Sequence, residues 1–152
     1  MAKLLLVRHA ERPDIPANSV GNEVLLTEKG KEETRIFAQN ISGPVISIHT
    51  SPIERCKQTA EIIAEVAGVP KHEIRLNRDL GDPGYIIEDG RVAWEHWQKK
   101  GSLVVNNYLL TGGDKWSGFH DLDQASGRFL ETIKHQLSLT ENGHYIWITH
   151  DT

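Results

Sequence analysis

Charged and nucleophilic side chains cluster at three separate points of this 152-residue sequence. The first is Arg8-His9, the second covers residues 50–55, and the third is His150-Asp151. Arginine binds phosphate through paired hydrogen bonds and keeps its charge at every relevant pH. A neutral histidine is a nucleophile near neutral pH, and a carboxylic acid protonates a departing oxygen. Together these residue types predict phosphoryl transfer, with cations that neutralise the charge of the phosphoryl oxygens.

Each of the three points follows a predicted β-strand. Residues 3–8 form an apolar run typical of a buried strand, residues 45–50 are rich in β-branched side chains, and residues 144–149 form a third run. The carboxyl ends of parallel strands lie at one edge of a sheet, where open α/β folds bind their ligands. We therefore expect the histidines, arginines and at least one carboxylate to converge on that edge.

Helices are predicted between the strands from their capping residues. Thr27 is expected to cap a helix that runs to about residue 40. Ser51 is expected to cap a second helix, with Glu54 completing a capping box and Gly68 ending the helix. A last helix is expected to begin at Asp121 or Asp123.

The segment of residues 81–120 is rich in glycine and predicts an irregular insert with one or two short helices. A short strand is expected just before it, within residues 72–80. Three tryptophans of the insert either line the site or form a small hydrophobic core of their own: Trp94, Trp97 and Trp116. The alternation of strands and helices predicts a single domain over residues 1–152, a three-layer α/β/α sandwich with a mostly parallel central sheet.

Composition excludes several classes of protein. Hydrophobic residues make up 38% and charged residues 25%, which fits neither a disordered chain nor a membrane protein, and no apolar run approaches the roughly 20 residues of a bilayer span. The net charge of −4 argues against general nucleic-acid binding. The first residues are too short and too quickly charged for a signal peptide, and Cys56 is the single cysteine. We therefore expect a cytoplasmic protein with no nucleic-acid or membrane partner.

At the three clusters the sequence resembles the histidine phosphatase superfamily, the phosphoglycerate mutase-like proteins. Arg8-His9-Ala10 is similar to the family's Arg-His-Gly signature, and residues 50–60 are similar to its second signature. Ile148-Thr149-His150 is similar to a third piece, a strand followed by histidine. The pieces occur in family order and span nearly the whole chain.

The resemblance implies a role for each matching residue. His9 would be the phosphorylated nucleophile, Arg8 and Arg55 would bind the phosphate, and His150 would be the second histidine of the pocket. One observation on the residues alone agrees with this. An arginine in the first turn of a helix opposes the helix dipole, so Arg55 is best explained by an anion nearby.

The proton donor has three candidates. Arg12-Pro13 and His150-Asp151 resemble patterns of the acid phosphatase branch, which implies that Arg12 binds substrate and that Asp151 donates the proton. The mutase-type branch places its acid in the insert, which makes Asp79 the second candidate and Asp82 the third. Asp151 is favoured because it directly follows His150 at a strand end.

Two departures from the family pattern bear on these expectations. Ala10 replaces the usual glycine, so the backbone after His9 must accommodate a methyl group. Family members continue past the second histidine with a further helix, so we expect the chain to be truncated after Thr152.

The expected function is hydrolysis of a phosphomonoester through a phosphohistidine on His9. No metal or other cofactor is expected, since the arginines supply the positive charge; the spacing His120-Asp121-x-Asp123 is weak evidence for a metal site. The expected substrate is a phosphorylated small molecule or a phosphoprotein. Two alternatives are phosphoglycerate mutase-like phosphoryl transfer and a noncatalytic phosphate-binding or interaction module, the latter supported by Ala10.

Overall fold

The computed structural model describes residues 1–17, 19–139 and 141–150. Within these residues four parallel strands form one sheet: β1 (Ala2–Arg8), β2 (Val45–Thr50), β3 (Arg75–Leu76) and β4 (Gly143–Thr149). Their spatial order is β1-β4-β2-β3. Five α-helices accompany the sheet: α1 (Glu28–Gln39), α2 (Glu54–Ala67), α3 (Gly90–Lys100), α4 (Ser102–Thr111) and α5 (Leu122–Ser138). The predicted α/β class with a parallel sheet is confirmed.

Helices pack on both faces of the sheet, because side chains alternate across the central strand β4. Ile146 and Ile148 of β4 join Ile48 of β2 in a buried cluster with apolar residues of α2. On the opposite face Trp147 contacts Phe129 of α5, with 5.9 Å between ring centroids. This arrangement gives the three predicted layers.

Several helix boundaries follow the predicted capping residues. The Thr27 hydroxyl accepts a hydrogen bond from the Gly30 amide at 3.0 Å and caps α1. Gly68 adopts φ 71°, the left-handed conformation that ends α2. Asp121 accepts a hydrogen bond from the Gln124 amide and caps α5. These boundaries depend on local hydrogen bonds, which sequence patterns capture.

Two expectations about the strands and α2 are wrong in detail. In the described part of the chain β1 pairs with β4 alone and is an edge strand, so Leu6 is 52% exposed rather than buried. Helix α2 begins at Glu54, and Ser51 does not cap it. The Ser51 amide instead donates to the Ile148 carbonyl at 2.9 Å, so pairing with β4 continues past β2 and delays the start of the helix.

The segment between β3 and α5 has its own apolar centre. Helices α3 and α4 surround buried Phe119, and Trp97 and Trp116 pack against this cluster. Trp116 stacks on Tyr108 at 4.1 Å between ring centroids. Of the two roles considered for the tryptophans, the structure supports the core of the insert for Trp97 and Trp116.

Candidate active site

His9 lies directly after β1 and is 5% exposed. Its amide donates to the Thr149 carbonyl at 3.0 Å, which extends the pairing of β1 with β4 by one residue. Its Nδ1 atom lies 2.7 Å from the Ala10 carbonyl oxygen, and Arg55 Nε donates to its Nε2 atom at 2.9 Å. Because a guanidinium group has donors only, Nε2 is the acceptor and Nδ1 carries the proton. The neutral ring therefore presents a nucleophilic lone pair at Nε2.

Arg55 lies in the first turn of α2. Its side chain is buried, and Nη1 donates to the Gly21 carbonyl at 2.7 Å. Its own carbonyl accepts a hydrogen bond from the Thr59 hydroxyl at 2.9 Å. A buried cation beside the amino end of a helix favours a nearby anion, since the helix dipole adds to its positive charge. The contact with His9 brings two predicted site residues together.

Ala10 fits its position without a strained backbone. Among the non-glycine residues that the structure describes, Asp82 alone has a positive φ, so Ala10 does not need the conformation that favours glycine. Its amide lies 3.4 Å from the Thr59 hydroxyl oxygen. The methyl group at this position therefore leaves the arrangement of His9 intact.

His150 follows β4 and packs against Gly81. A Cβ atom on Gly81 would lie 2.2 Å from Cδ2 and 2.3 Å from Nε2 of His150, and 2.5 Å from the Ser51 hydroxyl oxygen. The Thr149 hydroxyl donates to the Leu80 carbonyl at 2.7 Å and ties β4 to the turn before Gly81. Sequence reasoning missed Gly81, because it is one of many glycines in that segment and its contact with His150 is formed only by the fold.

The other predicted arginines lie at the same sheet edge or in the loop after it. Arg8 is the last residue of β1 and pairs in register with Thr149. Arg12 Nη1 donates to the Pro13 carbonyl at 2.9 Å.

The three candidate acids are placed differently. Asp79 is exposed, in the 3₁₀ turn Arg78–Leu80. Asp82 lies 3.7 Å from Arg78 in an ion pair. Asp151 lies outside the described residues.

Two adjoining cavities lie near the carboxyl end of β4, and His150 lines one of them. The inner cavity, of about 210 Å³, is lined by His150, Thr149 and Asp79 with apolar residues that include Leu6 and Phe129. The outer cavity, of about 470 Å³, lies between the Arg78–Leu80 turn and α5. The two share part of their lining: Asp79, Pro83, Gly84, Tyr85 and Phe129. His9 and Arg55 line neither, and His9 contacts the inner wall through its hydrogen bond to Thr149.

Two further histidines have local roles. His49 stacks on Trp147 with 5.8 Å between ring centroids, and burial, together with the charge of Arg75, lowers its pKa. His120 lines the outer cavity. Among the described residues no group of three or more His, Cys, Asp or Glu side chains is arranged to hold a metal ion.

Comparison with known proteins identifies a family profile that matches nearly the whole chain and individual relatives that match about half of it. Residues 4–152 match the profile of the histidine phosphatase superfamily (branch 1). The chain is 35% identical over 95 residues to the "Uncharacterized phosphatase PhoE" of Bacillus subtilis (strain 168). This match covers 54% of this chain and 45% of that protein. The chain is also 38% identical over 71 residues to the "Probable phosphoglycerate mutase GpmB" of Photorhabdus laumondii. This match covers 45% of this chain and 33% of that protein. The matches thus span less than half the length of these two relatives.

Solved structures share the fold at low sequence identity. Phosphoserine phosphatase from Entamoeba histolytica, in complex with 3-phosphoglyceric acid, has a TM-score of 0.62 at 21% identity and covers 99% of this chain and 75% of its own. Phosphoglycerate mutase from Bacillus anthracis str. Sterne has a TM-score of 0.60 at 15% identity, with 97% and 74% covered. The protein histidine phosphatase SixA complexed with tungstate has a TM-score of 0.52 at 15% identity, with 97% and 68% covered. No helix in the described residues has the length and apolar character to cross a membrane.

Proposed function

Because the chain belongs to the histidine phosphatase superfamily, we propose that it is a phosphomonoester hydrolase that works through a phosphohistidine on His9. The observation that carries the proposal is the pair of contacts on the His9 ring. The Nδ1–H group donates to the Ala10 carbonyl, and the Nε2 lone pair faces the buried cation Arg55. This pair of contacts orients the ring and directs a nucleophilic nitrogen towards the place where an anion would bind.

In the proposed first step, the Nε2 lone pair of His9 attacks phosphorus and the bond from phosphorus to the ester oxygen breaks. Arg55 turns its Nε–H from Nε2 to a phosphoryl oxygen, while its hydrogen bond to Gly21 keeps the guanidinium in place. Arg8, Arg12 and His150 supply further donors to the phosphoryl oxygens. These donors neutralise the charge that is spread over the equatorial oxygens in the transition state.

The departing oxygen takes a proton from a carboxylic acid, for which we propose Asp79. Its side chain lines both cavities, so it lies at their junction, between His150 and the larger space that would receive the leaving group. Asp151 is the alternative donor on the sequence pattern. Asp82 is the weaker candidate, because it lines neither cavity.

In the second step, water attacks the phosphorus of phosphohistidine and the bond between nitrogen and phosphorus breaks. The carboxylate formed in the first step takes the proton of the attacking water. Inorganic phosphate leaves, and His9 regains its neutral form. No step requires a metal ion. We also propose a cytoplasmic location, which is predicted from the single cysteine.

Phosphoryl transfer between metabolites is the second candidate function, because one matched relative is named as a phosphoglycerate mutase. A noncatalytic phosphate-binding module is the third candidate function.

The test of these three functions is incubation with an aryl phosphate in the presence of EDTA, with and without a second phosphate acceptor. Release of inorganic phosphate supports the hydrolase. Transfer of the phosphoryl group to the acceptor supports the mutase-like activity. Binding of inorganic phosphate by a protein that does not hydrolyse the aryl phosphate supports the module. Loss of activity in EDTA that an added metal restores would contradict the mechanism.

A further inference from the structure

The outer cavity has an excess of positive charge. Arg78 and Arg128 line it, against the single carboxylate of Asp79. Arg128 makes no ion pair with any described residue. The ion pair of Arg78 with Asp82 is long, at 3.7 Å, and solvent-exposed, so it holds the guanidinium only weakly. Both arginines are therefore available to an anionic ligand.

An aromatic wall forms one side of the same cavity. Tyr85 stacks on Phe129 with ring centroids 4.2 Å apart and planes within 8° of parallel. Phe129 in turn packs on Trp147 of the central strand, 5.9 Å away. The wall is thus built outward from the sheet, and it offers a flat apolar surface for a ligand.

The position of the outer cavity relates it to the proposed reaction. It shares Asp79, Tyr85 and Phe129 with the inner cavity, which reaches His150. A phosphoryl group held beside His150 would therefore extend its organic part past Asp79 into the outer cavity. The outer volume of about 470 Å³ lies in the range of small-molecule sites.

We propose that the outer cavity binds the non-transferred part of the substrate and that this part carries a second anionic group, held by Arg78 and Arg128. The inference rests on the proposed function and specifies its substrate class. The substrate is a small phosphomonoester with an apolar or flat body and a carboxylate or second phosphate. A phosphorylated protein side chain without an acidic neighbour would leave both arginines unused.

The test compares two inert ligands, phenylphosphonate and 4-carboxyphenylphosphonate, whose carbon–phosphorus bond resists hydrolysis. Calorimetry gives the Kd of each for the wild type and for Arg78→Gln, Arg128→Gln and Arg91→Gln. Arg91 is a matched control, since it is an exposed arginine of α3 that lines neither cavity. In the wild type and in Arg91→Gln, the carboxylate should lower the Kd about tenfold or more. That advantage should shrink to less than threefold, roughly, in Arg128→Gln and in Arg78→Gln.

Equal affinity of the wild type for the two phosphonates overturns the inference, as does an advantage that survives in both cavity variants. So does faster hydrolysis of a phosphopeptide without acidic neighbours than of a carboxylated aryl phosphate. Turnover of an aryl phosphate without preference for the carboxylated ligand overturns this inference alone. Tighter binding of the carboxylated phosphonate by a protein that turns over no aryl phosphate supports the outer site and contradicts the proposed hydrolysis.

Discussion

The Nε–H group of Arg55 points at the lone pair of His9 Nε2 from 2.9 Å. His9 directly follows β1 and Arg55 lies in the first turn of α2, and their side chains meet in the interior, where both are almost fully buried. An anion bound by this guanidinium therefore lies within reach of the imidazole nitrogen. The proposed chemistry needs that proximity, and each partner can be tested separately.

Substitution His9→Ala should abolish turnover, because it removes the atom proposed to form the bond to phosphorus. We expect wild-type protein quenched in denaturant during turnover of a labelled phosphomonoester to retain label, and the variant to retain none. Circular dichroism and thermal unfolding of the variant verify its fold. Equal labelling of the two proteins would remove His9 from the mechanism.

Substitution Arg55→Gln should weaken the binding of inorganic phosphate or vanadate. A hydrogen bond to a charged group contributes about 1.5–3 kcal/mol, which corresponds to a roughly 10- to 150-fold increase in Kd. The matched control is Arg35→Gln, since Arg35 is an exposed arginine of α1 paired with Glu32. Unchanged affinity in a folded Arg55→Gln protein would place Arg55 outside the phosphate site.

The proton donor can be identified from leaving groups. Loss of the acid should slow hydrolysis of alkyl phosphates strongly and that of activated aryl phosphates little, because a good leaving group departs without protonation. We expect this pattern in Asp79→Asn and its absence in Asp82→Asn. If Asp151→Asn shows the pattern and Asp79→Asn does not, the donor follows β4 and the junction of the cavities has another role.

Substitution Gly81→Ala should displace His150, because the new methyl group would lie 2.2 Å from its ring. Misplacement of a positioned group by about 1 Å lowers activity on the order of 100-fold, so kcat/KM should fall by a comparable factor. Gly127→Ala is the matched control, since its added Cβ in α5 would meet no heavy atom within 4 Å apart from its chain neighbours and the adjacent backbone of the same helix. That variant should keep activity and gain about 0.5–1 kcal/mol of stability. Full activity of Gly81→Ala would show that the position of His150 does not matter.

Whether a contact could be predicted from the sequence depends on how far apart its two residues lie along the chain. The caps at Thr27 and Gly68 depend on neighbouring residues, so their patterns are readable. Ser51 has an equally good capping pattern, yet its amide pairs with Ile148, far along the chain. An apolar run does not reveal whether a strand lies at an edge, which is why the exposure of Leu6 was not predicted.

Contacts between distant residues also limited what the sequence could predict about the site. The strand-end histidines and Arg55 were predicted from their elements, and the structure brings His9 and Arg55 into contact. The closeness of Gly81 to His150 and the position of Asp79 between two cavities depend on how the insert folds over the sheet. No local pattern encodes that packing.

The pKa of His49 predicts a pH dependence of stability. Burial, and to a smaller degree the charge of Arg75, lowers its pKa, so the folded protein binds this proton less readily than the unfolded chain. As the pH falls below about 6.5, the unfolded state takes up the proton first and the free energy of unfolding decreases. This loss is complete below the lowered pKa of the folded state. Urea unfolding across this range should show a smaller acid-induced loss in His49→Gln than in the wild type. A difference between the two proteins that stays constant with pH would contradict the assignment.

The central place of β4 also sets the order in which the protein can fold. Strands β1 and β2 are separated in the sheet by β4, and both pair with it along nearly their whole length. During synthesis these two strands therefore have no shared neighbour until Gly143–Thr149 has been made. The pairing of β1 and β2 with their common neighbour thus depends on a segment far along the chain, and parallel pairings over such separations form slowly.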